Sequence, residues 1–542
     1  METRKQETYP VILTVAACLV LIICAKGKSG LMTPIDLAVV MAGLCGVLAW
    51  RALAKPVLIA VSALIGGALY GVAGLFVTNY DLLLTAGGAA VIILTAVYMR
   101  ASGRLDHESL IFLIFAAGFW IMFCYAQYTD TWLRQNDVGD FLEDHFDPHH
   151  AGYIDYIRRY GWLPNADVRT MDQWYHPPLH HIICAYFMRG YGTVFPSLTR
   201  NYEVLQMLTL GYSFLASLFM FRIIKMFDIP EEGETTAAVF LAFFPIFIIN
   251  AGELNNDILS VMLFVMSVYY IFRWYREDHK TRFIAGCAFA IGLGMMTKLS
   301  VWMAAVPVGI ILLAALIKAR GRDIKLWGQY LLFALISFPL GLWFPIRNYI
   351  GWGVPPTYIP VPLYNYSLDE YSVFQRLFDV IDNGGYYNIP YYAVWSAVFD
   401  DDDYRAHAFW GVLSFAVFAV FAILVIIAAA GIIYMMIRTV KTKKHIWETS
   451  ALVMMVITEL TSYTVFCFKY PYPCTMNFRY IIPVTVTFLL GYVTLTGRVG
   501  ESRDFRMIYR LLRSAVVVFA VLSAVFYLTL WAYDLWCVQN LV

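Results

Sequence analysis

The sequence predicts an all-α polytopic membrane protein, and three observations predict it. Apolar residues make up 60% of the 542 positions and charged residues only 14%, against about a quarter charged in soluble domains. The apolar positions fall in runs near the length that crosses a bilayer, about 20 residues. The basic residues gather in alternate connections between those runs, as the positive-inside rule asks. The net charge of +1 implies no nucleic-acid partner, because in such a chain the distribution of charge carries the information and the total does not.

In chain order the runs are 9–25, 35–50, 57–79, 82–99, 109–127, 203–221, 234–250, 257–272, 282–297, 299–317, 326–345, 407–436, 447–467, 478–497 and 514–537. They predict about fifteen helices, several of them short for a full crossing. The run 9–25 is read as a retained helix, since no small-residue cleavage site follows it and a second span comes at once. Residues 1–100 form an N-terminal four-helix segment with few polar groups, expected to be scaffold or partner-binding. Residues 101–500 form the core, with outer loops at 128–202 and 346–406. Residues 501–542 close the chain with one helix. Arg51, Arg100, Arg222, Arg276, Lys318, Lys443 and Arg506 fall on one side and place the N-terminus in the cytoplasm. The expected location is a multi-pass position among membrane lipids, in a bacterial plasma membrane.

The same alternation sends nearly every unusual polar group to the outer side. Asp137 and Asp140 flank Gly139, where a turn lets backbone approach a ligand. A carboxylate at the membrane edge can deprotonate an acceptor hydroxyl or share a divalent cation with a phosphate; the alternative is a solvated acidic loop. Residues 149–164 have apolar and aromatic positions at helical spacing, ended by Gly161 and Pro164, which predicts a short interfacial helix. His149 and His150 open it, as hydrogen-bonding groups more than metal ligands, because no fixed ligand spacing is present. Tyr175 and His176 precede Pro177 and Pro178, which pre-set the first turn of a second short helix. Later come Glu253 to Asp257, the Thr297-Lys298 turn, Arg347 and Asn348, an aromatic stretch at 346–406, and Arg479. The acidic run Asp400 to Asp403 reads as a solvated turn. Cys467 and Cys474, alone of the nine cysteines, share a polar loop; a disulfide and two free thiols both remain open.

Several of these stretches together resemble the GT-C glycosyltransferases. They are the acidic residue after a span, the helix ending in Gly-x-Leu-Pro, and the Tyr175-His-Pro-Pro-Leu179 turn. Asn256-Asp257, Gly294-Met-Met-Thr-Lys298, Pro345-x-Arg347-Asn348 and Arg479-Tyr-x-x-Pro483 follow in the family's order. The branch that these residues resemble holds the protein O-mannosyltransferases and the lipid A aminoarabinose transferases. The resemblance spans about residues 109–497 and implies a GT-C-like fold with a large first outer loop carrying juxtamembrane helices. It implies transfer of a sugar from a polyprenyl-phosphate donor to a lipid, glycan or protein acceptor at the outer membrane face.

In that reading Asp137 or Asp140 is the base, and Lys298, Arg347 and Arg479 bind the donor phosphate. Tyr175, His176, His149, His150, Asn256, Asp257 and Asn348 contact substrate. A metal is left open, with Mg or Mn on Asp137 and Asp140 as the candidate. Two departures from the branch stand out: its paired Asp-Glu is replaced by Asp137-Val-Gly-Asp140, and four helices precede its usual first span. A transporter or lipid-linked-sugar flippase without transferase chemistry is the alternative, and it predicts charges near mid-span instead of at the outer helix ends.

Overall fold

A computed structural model describes residues 33–53, 55–131, 133–134, 136, 149–194, 202–361, 367–501, 504 and 506–540. All regular structure among them is helical. The helices are α1 (Pro34–Leu53), α2 (Pro56–Phe76), α3 (Tyr80–Ala101), α4 (His107–Tyr128), α5 (His150–Tyr160), α6 (Leu179–Val194) and α7 (Gln206–Ile224). There follow α8 (Glu231–Phe243), α9 (Pro245–Gly252), α10 (Asp257–Arg276), α11 (Thr281–Met295), α12 (Ala305–Lys318) and α13 (Ile324–Trp352). The last are α14 (Val373–Phe378), α15 (Ile389–Phe399), α16 (Ala408–Thr442), α17 (Ile446–Lys469), α18 (Thr485–Glu501) and α19 (Arg506–Asn540).

Among the described residues, 13 helical stretches are long and apolar enough to cross a membrane. The expected run at 9–25 lies outside them. Local chemistry explains the boundaries. Asn79 and Asp106 cap α3 and α4 by accepting from the backbone N–H of Leu82 and Ser109, satisfying donors that a helix start leaves open. Gly161 ends α5 in the left-handed conformation at φ 79°, as its lack of a Cβ allows. The expected span 234–250 is broken into α8 and α9 at Pro245, which has no N–H to continue the ladder. The loop expected at 346–406 is not simply a loop: α13 continues to Trp352, and α15 is a buried helix inside it.

With little hydrophobic effect available between helices in lipid, close backbone approach matters more. A Cβ on Gly431 of α16 would lie 2.4 Å from the backbone of Gly491 on α18, and one on Gly118 of α4 would lie 2.3 Å from the Ala242 carbonyl of α8. These glycines let the core helices touch. In α2, by contrast, only Gly66, Gly67 and Gly74 are buried. The connections before α7, α10, α12, α16 and α18 collect at one end of the bundle, and α5, α6, α14 and α15 lie there. Lys225, Arg276, Lys318, Lys443 and Arg506 mark the opposite end.

Candidate active site

The site is built where helices break. Asp257 is the first residue of α10 and only 4% exposed. After α11 the chain turns through Thr297 and Lys298, whose N–H groups both return to the Gly294 carbonyl at 2.9 and 2.8 Å. A Cβ on Gly294 would meet Val301 at 2.6 Å, so the turn can be this tight only with glycine there. It aims Lys298 Nζ at the Asp257 carboxylate, with which it forms an ion pair. Arg479, in the short helix Phe478–Val484, brings Nε to 3.5 Å from the other Asp257 oxygen. Tyr480 lies beneath both cations, with its ring centre 4.8 Å from Lys298 Nζ and 5.1 Å from the Arg479 guanidinium.

The His-Pro-Pro-Leu turn is tied to the same break, because Leu179 N–H donates to the Met296 carbonyl at 2.9 Å. That bond carries α6 and its histidines to the cations. His150 Nδ1 and His181 Nε2 are 2.8 Å apart and share a proton, the His150 and His176 rings stack at 5.4 Å, and His180 Nε2 donates to the Leu254 carbonyl at 2.8 Å. Burial pushes His150 and His176 well below the usual imidazole range, and the charges of Lys298 and Arg479 push them the same way. These rings are neutral at physiological pH.

On its far side Arg479 meets acids. Asn477 accepts the Arg479 backbone N–H at 2.9 Å through its side-chain oxygen and donates to Asp400 and Asp401 through its nitrogen. Asp400 is 4% exposed, so the expected solvated turn is corrected: the run begins with a buried carboxyl, held by Asn477 and Asn136, while Asp401 and Asp403 face solvent. Glu253 adjoins Asp400, with its own pKa raised by burial to about 7.

Lys298, Arg479, Asp257, His176 and His150 are thus brought together, and Asn256 supports them by donating to the Thr297 carbonyl at 2.7 Å. Arg347 and Asn348 lie in a neighbouring cluster: Arg347 donates to the Pro164 carbonyl and, at 3.2 Å, to Asn348 Oδ1. Tyr175 packs against His176 on one side and Tyr358 on the other. His149 sits at the edge, 3.1 Å from Asp172. Asp137 and Asp140 lie outside the described residues. Among the described residues no group of three metal-ligating side chains converges. Cys467 and Cys474 are free thiols, and Cys467 Sγ donates to the Thr475 carbonyl at 3.3 Å.

Sequence reasoning passed over Asn136, Asn477, His180, His181 and Asp400. The double His180-His181 after a proline turn was a usable signal; Asp400 was hidden in a run that looks hydrophilic. Behind the site, an apolar cavity of about 220 Å³ is lined by Phe240, Phe244, Phe421, Leu460, Phe478 and Ile481 among others. Phe478 and Ile481 flank Arg479 in sequence, so the cavity backs directly onto the cationic segment.

Residues 176–343 match the family described as dolichyl-phosphate-mannose-protein mannosyltransferases. The segment begins at His176 and contains Asp257 and Lys298. Two solved structures of ArnT from Cupriavidus metallidurans are similar to the chain. One, bound to undecaprenyl phosphate, is 12% identical over 78% of this chain and 76% of that chain, with a TM-score of 0.43. The other, in the apo state, is 13% identical over 77% and 76%, with a TM-score of 0.37. No curated protein matches the chain.

Proposed function

We propose that this chain is a membrane glycosyltransferase of the GT-C superfamily, a reading supported by the match over residues 176–343, and that it moves a sugar from a polyprenyl-phosphate donor to an acceptor hydroxyl at the extracytoplasmic face. The observation that carries this reading is the convergence of Lys298 and Arg479 on the single carboxylate Asp257, beside neutral imidazoles. Such a cluster is suited to an incoming phosphate. As the acceptor oxygen bonds to the anomeric carbon, the bond from that carbon to the phosphate oxygen breaks. The electron pair stays on the leaving polyprenyl phosphate, where the two cations stabilise the growing charge.

Arg479 does this with directed N–H groups and Lys298 as a compact charge. His150 and His176, being neutral, add hydrogen bonds without competing for the phosphate as extra charges. The acceptor proton passes to Asp137 or Asp140, and attack opposite the leaving group inverts the anomeric centre. Support for Asp137 comes from its neighbour Asn136, which is hydrogen-bonded to Asp400 at 2.6 Å beside Arg479. The apolar cavity behind Phe478 suits the isoprenoid chain. Arg347, with Tyr175 and His149, borders the approach and is assigned to substrate contact there.

Residues 1–100 are assigned a scaffold role. The bundle end rich in Arg and Lys faces the cytoplasm of a plasma membrane. The test is transfer from labelled dolichyl-phosphate mannose by the full-length protein in proteoliposomes. Donor cleavage with labelled product is expected from wild type, and loss of it from the Asp137→Asn, Asp140→Asn double variant. Movement of intact donor across the bilayer without cleavage would instead establish a flippase.

A further inference from the structure

Asp400 follows α15 with φ 56° and ψ −135°, a backbone that non-glycine residues adopt only when their surroundings hold them there. Its carboxyl is held by Asn477 Nδ2 and by Asn136 Nδ2 at 2.6 Å. The carboxyl of Glu253, 1% exposed, lies beside it on the same amide nitrogen. Asn136 Nδ2 reaches Glu253 Oε1 as well, at 3.4 Å, and Asn255 donates to the other Glu253 oxygen. Two buried carboxylates that share one amide donor do not both ionise. The charged groups facing the pair are Arg479, Asp257 and Asp401.

We propose that Glu253 and Asp400 form one singly protonated carboxyl pair that positions the first outer segment for sugar transfer by fixing Asn136, the residue before Asp137. The inference rests on the transfer reading above. Glu253 and Asp400 are positioning residues: they touch Asn136 and neighbour Arg479, and no substrate atom is assigned to them. While the pair holds its proton it carries one negative charge and its hydrogen bonds close. Loss of that proton sets two like charges together, releases Asn136 and draws Arg479 from the phosphate position. Burial raises Glu253 from 4.5 to about 7 and Asp400 well above its usual value. The folded chain therefore keeps a proton that the unfolded chain has shed. The stabilisation is fully present below the unfolded values and is lost as pH rises through the folded ones.

The test uses full-length wild type, Asp400→Asn, Asp400→Ala and Asn136→Ala. Melting temperature is followed from about pH 5 to 9, and transfer from dolichyl-phosphate mannose is measured alongside Asp137→Asn. Wild type is expected to lose melting temperature as pH rises from about 5 through about 7, and turnover as the pair sheds its proton above that. Asp400→Asn, a neutral isostere that still donates and accepts, should flatten the turnover profile and reduce the melting slope to that of the remaining groups, Glu253 and His445 among them. Asn136→Ala should lower kcat about tenfold or more with KM little changed, and Asp400→Ala should match it. A wild-type pH slope in the melting of Asp400→Asn would overturn the shared proton, and that arm needs no donor. An inactive Asp137→Asn together with a fully active Asn136→Ala would overturn the positioning role alone. A fully active Asp137→Asn would instead remove the base assignment on which that role depends.

Discussion

At the Arg- and Lys-rich end of the bundle, Arg276 donates to Glu448 at 2.9 Å, and His445 lies between Arg276 at 2.7 Å and Asp228 at 3.0 Å. At the opposite end, two cations contact one carboxylate and the nearby histidines contact each other. The histidines report the difference. His445 is raised above the usual imidazole range, chiefly by the Glu448 carboxylate 3.8 Å away, whereas His150 and His176 are pushed down by burial and by cations. One cluster ties helices together; the other, in the proposed reading, takes the phosphate of an arriving donor. Structural ion-pair networks perturb pKa values as functional sites do, so a perturbed group alone does not mark function.

The largest effect is expected at Arg479. Arg479→Ala should lower transfer from polyprenyl-phosphate mannose by about 100-fold to 1,000-fold, the usual effect of removing one preorganised donor to a developing negative charge. Turnover under saturating donor is the measurement. Lys298→Ala should cost somewhat less, about 100-fold, because Arg479 still reaches Asp257. It should also change the pH profile. With Lys298 gone, His150 and His176 lose a repelling cation, so their pKa values rise. Rings that are neutral in wild type then protonate as pH falls, and a fall in rate on the acid side should appear in the variant alone.

At the other end the effects should be small and confined to stability. His445 has a raised folded pKa, so its contribution is fully present below the unfolded value and fades as pH rises through the folded one. His445→Gln should lose up to about 1 kcal/mol near pH 6, discounted for solvent screening, and less near pH 8. Thermal melts at the two pH values measure it, and transfer should be unchanged.

The span pattern was legible because hydrophobic run length and the Arg/Lys alternation are properties of the chain itself. Asp257, Lys298, Arg479 and His176 were legible because each sits at a helix end beside a glycine, a proline or another polar group. What was not legible depends on contacts distant in sequence. Asp400 lies in a run that composition reads as solvated, yet Asn477 and Asn136, far away along the chain, bury its carboxyl. α15 was hidden in a stretch of tyrosines and prolines that reads equally as interfacial loop. Arg347 matched a motif, but its contacts with the Pro164 carbonyl, far away along the chain, were not legible there.

In the proposed reaction the Lys298, Arg479 and Asp257 cluster receives the phosphate of a lipid donor. Binding of dolichyl phosphate, the leaving group of the proposed reaction, tests it most directly by native mass spectrometry of the intact protein. Wild type and His445→Gln should retain the lipid equally, while Lys298→Ala and Arg479→Ala should lose it by about tenfold or more, the effect of removing a charge-assisted contact. Equal retention by all four proteins would contradict the account.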